Sequence, residues 1–387
     1  MSDRLTRAGF SAIIGPLFTN SYRESEDDLV DIVPLLKRLS EAHGVSGYEH
    51  EVRRIVKDAF GRHSDMVRID RLGNVIARKD GTGPQPRKTI MLATHMDEIG
   101  LIVSQMEDGF IRFQQVGGYD DRVLLGQEVV VHGRKDLPGI IGARPPHVLP
   151  KGEQDTPIPY DKLLIDVGQS PEDLQSLVRV GDLITMNRQL VELQGGLVSG
   201  KALDNRVSVV AAAICLEELS RRRHDWDVYA VATVQEEVGY QGAITSTYGL
   251  KPDVGIAIDV TWAKQPGTPN EYTFDLGKGP TIPCGPNFHP KLHQALVETA
   301  ETLEMGYHIE PASRPGGTDA YAIQIAREGI PTALLGLPQR NMHTPAETVS
   351  VKDVERTGRL LAAFIARLDE SFLDRLTWDL GLDDEEA

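Results

Sequence analysis

The chain has 387 residues, with 57 acidic against 41 basic side chains and a formal net charge of −16. Its length allows more than one compact unit, its 40% apolar fraction is ordinary for a folded protein, and its acidity argues against nucleic acid and anionic membranes as partners. Two cysteines, Cys215 and Cys284, cannot build a disulfide framework and fit a reducing compartment.

Arg4 and Arg7 precede an apolar stretch that Pro16 interrupts, and no small-x-small cleavage site follows. No apolar run reaches the roughly 20 residues that span a bilayer. The expected location is the cytoplasm. Residues 1–28 show no sustained period and read as an extension, after which Leu29, Ile32, Leu35, Leu36 and Leu39 recur at helical spacing. Ser46 with Glu49 three residues on predicts a capping box ahead of a second helix carrying Val52, Ile55, Val56 and Phe60. Residues 67–70 and 74–77 read as a strand pair around Leu72-Gly73. The continuous apolar run 89–93 predicts a buried strand that delivers His95 and Asp97 beyond its carboxyl end.

From Ile99 the pattern changes to short strands with turns such as Glu107-Asp108-Gly109, continuing to about Met186. Residues 145–159 are polar and Pro-rich and read as a mobile loop, and Ser170-Pro171 starts one short helix. Beyond Asp204 helices and strands alternate again: a helix with Val207, Val210, Ala211, Ile214 and Leu219 on one face, strands at 228–232, 254–258 and 331–337, and helices at 292–303, 320–326 and 354–368. The expected architecture is α/β, a mixed β-sheet flanked by helices, made from residues 29–104 and 196–373. A β-rich segment, 105–195, is inserted between them, and 374–387 form an acidic tail.

Chemistry-bearing residues follow the apolar strands, where ligands collect in open α/β sheets. His95, Asp204, one of Glu236 and Glu237, Asp259 and His343 supply imidazoles and carboxylates for two divalent ions, with one carboxylate in the middle to bridge. Each has a plainer reading alone: a core histidine for His95, a helix N-cap for Asp204, a charged strand exit for Glu236-Glu237. Asp97 can accept a hydrogen bond from the His95 nitrogen that does not face a metal. Adjacent glutamates such as Glu236 and Glu237 can divide labour, one binding metal and the other remaining free to move protons. Glu98 reads as solvated, and His132 and His147 as structural or exposed. Gly316-Gly317-Thr318-Asp319 lacks the Walker lysine and reads as a turn into a helix N-cap at Thr318 or Asp319.

Together these pieces resemble the dinuclear metallo-aminopeptidases of the tetrahedral type, a family that includes glutamyl aminopeptidases and members once labelled endoglucanases. The resemblance is carried by Thr94-His95-Met96-Asp97-Glu98-Ile99-Gly100, Lys201-Ala202-Leu203-Asp204-Asn205-Arg206, Gln235-Glu236-Glu237-Val238-Gly239, Ile258-Asp259-Val260 and Met342-His343-Thr344-Pro345. It implies that His95, Asp204 and Asp259 hold one metal and Asp204, Glu237 and His343 the other, with Asp97 orienting His95 and Glu236 as general acid/base. Zinc, cobalt and manganese all suit this donor set. The resemblance further implies peptide substrates, a PDZ-like inserted domain, a cis Asp204-Asn205 peptide bond and a homo-oligomeric shell of twelve subunits. Runner-up readings are a carboxypeptidase or deacylase using the same metals, and an inactive peptide-binding scaffold. An endoglucanase needs two acids flanking a sugar and no metals.

Overall fold

The computed structural model describes residues 29–148, 152 and 158–376. The N-terminal extension, much of the 145–159 stretch and most of the acidic tail lie outside the described residues. Four parallel strands form the centre of the main sheet, in the spatial order Asp227–Thr233, Thr89–His95, Val254–Trp262 and Thr332–Arg340. Antiparallel strands widen it on both sides: Val75–Lys79 and Met66–Ile69 beyond the first, and Glu347–Ser350, Leu197–Gly200 and Val191–Leu193 beyond the last. Ile90, Met91, Leu92 and Ala93 have no exposed surface, because helices cover both faces of the centre. This is the mixed sheet with flanking helices that the alternating pattern predicts.

The helix Leu203–Ser220 departs from its expected single apolar face. Every residue in it except Glu218 and Ser220 is buried, since it lies against the sheet on one side and the helix Val351–Ile365 on the other. Gly358 permits that second approach: a Cβ there would come within 2.6 Å of the Ala211 carbonyl oxygen.

Six strands close into a barrel, in the order Gly100–Glu107, Phe110–Val116, Leu164–Asp166, Asp136–Gly142, Glu128–His132 and Leu183–Met186. Leu101, Val103, Ile111, Val131, Ile165 and Ile184 fill it, as a cluster separate from the core under the main sheet. Asp108 and Gly109, both at positive φ, make the two-residue hairpin that pairs Glu107 with Phe110. Ser170 caps the helix Pro171–Leu177 by accepting from the Asp173 amide, as its sequence predicts.

The capping box at Ser46 does not form. The second helix is His50–Gly61 and its N-cap position is Glu49, whose side chain caps nothing. The Ser46 hydroxyl instead donates to Asp97 Oδ2 at 2.6 Å, and Glu49 Oε1 accepts from the Gly47 and Gln235 amides. Long-range acceptors next to the sheet end outcompete the local motif. Among the described residues no helix is long and apolar enough to cross a membrane.

Candidate active site

The parallel strands run in one direction, so their carboxyl ends deliver side chains to a single rim. His95 ends Thr89–His95 and Asp97 follows it; Glu236 and Glu237 lie just past Asp227–Thr233; His343 lies just past Thr332–Arg340. Asp259 sits within Val254–Trp262, paired in register with Gly336. Asp204 arrives from the buried helix. Ala202 there takes a left-handed conformation, Asp204 and Asn205 have non-helical dihedrals, and the Asp204-Asn205 peptide is cis, as the resemblance implied. Asp204 is therefore no N-cap, and its carboxylate turns back to the sheet rim. Asn205 Nδ2 donates to the Ile258 carbonyl at 2.8 Å, tying this turn to the strand that carries Asp259.

Asp204 presents its two oxygens to two different imidazoles: Oδ1 lies 3.1 Å from His95 Nε2 and Oδ2 lies 3.4 Å from His343 Nε2. On the first side Asp259 Oδ1 is 3.7 Å and Glu236 Oε2 3.9 Å from the same His95 nitrogen. On the other, Glu237 Oε2 is 3.4 Å from His343 Nε2. Donor atoms of His95, Asp204 and Glu237 all lie within 4.8 Å of one another, with Asp259 and His343 flanking that trio. Asp97 Oδ1 is 3.4 Å from His95 Nδ1, on the far side of the ring.

Further buried polar groups hold this rim in place. Asp97 accepts from the Glu236 amide at 3.0 Å and the Glu237 amide at 3.2 Å, besides Ser46. Glu347 accepts from the His343 amide at 3.0 Å and the Asp204 amide at 3.1 Å, so one carboxylate positions residues from two elements. Sequence reading passed over Glu347, which has no motif around it. Glu98, expected in solvent, is 2% exposed: it accepts from Lys201 Nζ at 2.7 Å and the Gly44 amide at 2.9 Å, with Arg206 at 3.7 Å. The apolar residues following it were a signal of burial. Thr318 caps the helix Asp319–Gln324, as expected, while Asp319 turns inward to accept from Thr233 Oγ1. His132 is held by Asp136 and Thr185 at 2.9 Å each, a structural role.

Charge balance tests whether this donor set fits metal. Burial, then the charge of Asp204, pushes Glu237 up to about 8. Burial also holds Glu236 and Asp259 well above the carboxylate range, with His95 opposing and neighbouring carboxylates adding to it. Asp204 is pulled below that range, because against its burial stand hydrogen bonds from His343 and His95, and Asp97 is lowered likewise by His95 and Ser46. Among the described residues Glu236 Oε1 is buried with no hydrogen-bond partner. Crowded carboxylates with only two imidazoles against them are short of positive charge, which divalent cations supply, so the residues fit a metal centre.

Residues 73–360 match the family model described as M42 glutamyl aminopeptidase. The chain belongs to the M42 family. It is 38% identical over 340 residues to the lysyl aminopeptidase of Pyrococcus furiosus, a match covering 86% of this chain and 96% of that one. Its fold is similar to the TET aminopeptidase of a marine-sediment Thaumarchaeota archaeon, with TM-score 0.83, 34% identity, and 89% of this chain and 99% of that one covered. It is also similar to the Pyrococcus horikoshii TET1 peptidase, which assembles into a tetrahedron or a large octahedral shell; the TM-score is 0.77, at 32% identity, covering 87% and 100%. This M42 protein is thus a metal-dependent aminopeptidase of the TET type, a hydrolase acting on peptides.

Proposed function

We propose that this M42 aminopeptidase removes amino-terminal residues with two divalent cations, one held by His95, Asp204 and Asp259 and the other by Asp204, Glu237 and His343. The observation that carries the reading is the orientation of Asp204, whose two oxygens address the two imidazoles separately. When bound, such cations polarise a scissile carbonyl and lower the pKa of water. Asp97 fixes the His95 ring through Nδ1, so that Nε2 faces the site. Glu236, with one oxygen unpartnered and its backbone held by Asp97, is placed to take a proton from water and pass it to the leaving amine. Glu347 keeps Asp204 and His343 in their mutual positions.

The same reading makes the protein a large homo-oligomer, nominally of twelve subunits, with the inserted, PDZ-like segment 105–195 supplying subunit contacts. Its compartment is the cytoplasm, which suits Cys215 and Cys284, both free thiols. Chelation is expected to abolish aminopeptidase activity, and zinc, cobalt or manganese to restore it, with zinc or cobalt most effective. Full activity in protein shown metal-free by elemental analysis overturns the metal assignment. An N-acetylated peptide is expected to resist cleavage; equal turnover of blocked and free peptides favours a deacylase or endopeptidase.

A further inference from the structure

The metal-side rim opens into a cavity of about 300 Å³, and one carboxylate in its wall belongs to none of the groups described above. Glu310 lies on the strand His308–Pro311, which pairs with Thr281–Cys284 beside the central sheet. Thr261 Oγ1 donates to Glu310 Oε1 at 3.1 Å and Thr281 Oγ1 donates to Oε2 at 2.6 Å. Among the described residues no lysine or arginine forms an ion pair with it. Two hydroxyls thus fix the plane of a carboxylate that faces a cavity and has no counter-charge.

The backbone around it is shaped for this arrangement. Gly336 lies in register with both Asp259 and Thr281, and a Cβ there would come within 2.3 Å of the Thr281 hydroxyl and 3.1 Å of Thr261. Thr261 follows Asp259 by two residues on one strand, so both side chains share a sheet face, roughly 7 Å apart along it. The same cavity is lined by apolar side chains as well, among them Trp262, Pro283, Phe288 and Leu334. Such a wall suits an aliphatic stem, and a charge at its end suits a cationic head.

We infer that Glu310 makes this cavity select peptides whose first residue is lysine or arginine. The inference rests on the aminopeptidase reading of the same site and adds the class of residue removed. The stem of the terminal residue lies along the apolar wall while its ammonium or guanidinium meets Glu310. Burial raises the Glu310 carboxyl, against the pull of the Thr281 and Thr261 hydroxyls, and a seated cation offsets that cost.

The test uses the full-length, metal-loaded protein with lysyl, arginyl, leucyl and glutamyl anilides. The expected result is a kcat/KM for the two cationic substrates at least roughly tenfold above leucyl, with glutamyl the poorest. Glu310→Gln, nearly isosteric, is expected to lower the lysyl-to-leucyl ratio about tenfold or more, chiefly through KM, with the parent's metal content and melting temperature. Glu310→Lys is expected to reverse the lysyl-to-glutamyl order. A parent that prefers leucyl or glutamyl substrates, or a Glu310→Gln ratio equal to the parent's, overturns the inference and leaves the aminopeptidase reading standing. Absence of turnover on all four anilides overturns both.

Discussion

Glu236 and Glu237 are adjacent in sequence and equivalent by charge, but their surroundings differ. Glu237 faces His343 across 3.4 Å, whereas Glu236 keeps one buried oxygen without a partner. Glu237→Gln is expected to lose metal together with turnover, while Glu236→Gln keeps its metal and loses about 10²–10⁴-fold in kcat. Metal content measured beside steady-state kinetics decides this; the opposite pattern reverses the two roles, and a fully active Glu236→Gln removes the mechanism. Glu49 offers a test of buried charge one step away. Burial and the charge of Asp97 raise its carboxyl to about 7, above an unfolded value near 4.3. The stability linked to it is therefore full below about pH 4.3 and is lost as the pH rises through 7. Glu49→Gln retains an oxygen to accept from Gly47 and Gln235, so its advantage over the parent should grow between pH 5 and 8 by about 1–3 kcal/mol. Urea midpoints at matched metal loading read this, and two parallel pH curves would refute it.

The element that decides the site's geometry is the buried helix Leu203–Ser220. Its first turn is irregular, and that irregularity aims Asp204 at the sheet rim, while the rest of the helix is clamped by neighbours. Gly358 is a point of close approach in that clamp. Gly358→Ala brings a methyl against Ala211 and Ile214, with no flexible side chain to yield, and should cost about 1–3 kcal/mol of stability. Chemical denaturation measures the loss; an unchanged midpoint would mean that the two helices have room to separate. The Ser46 motif teaches the complementary lesson about elements. Its spacing satisfies the capping rule, but Asp97 lies within reach in the fold and takes the hydroxyl.

For the whole molecule, the prediction with the largest functional consequence concerns assembly. Its TET1 neighbour can assemble into a tetrahedron or a large octahedral shell. Light scattering on this protein is expected to give a large homo-oligomer near twelve subunits. A fully active monomer would show that enclosure is dispensable here. The barrel has an apolar core separate from the one under the main sheet.

Much of this was legible in the chain itself because strands buried on both faces carry runs without polar side chains, and residues 90–93 and 254–258 are such runs. The motifs that follow such strands identified His95, Asp97, Glu236, Glu237, Asp259 and His343 as candidates without any coordinates, since a parallel sheet collects its carboxyl ends at one edge. Contacts between distant segments were not legible. Glu347 lies 143 residues from Asp204 and Glu310 lies 49 from Thr261, and no periodicity or local motif links such pairs. Glu98 reads as a surface acid until Lys201 and Arg206 are seen folded over it. Sequence patterning reports which side chains leave water; only the tertiary structure decides which buried charge each one meets, because that depends on long-range packing.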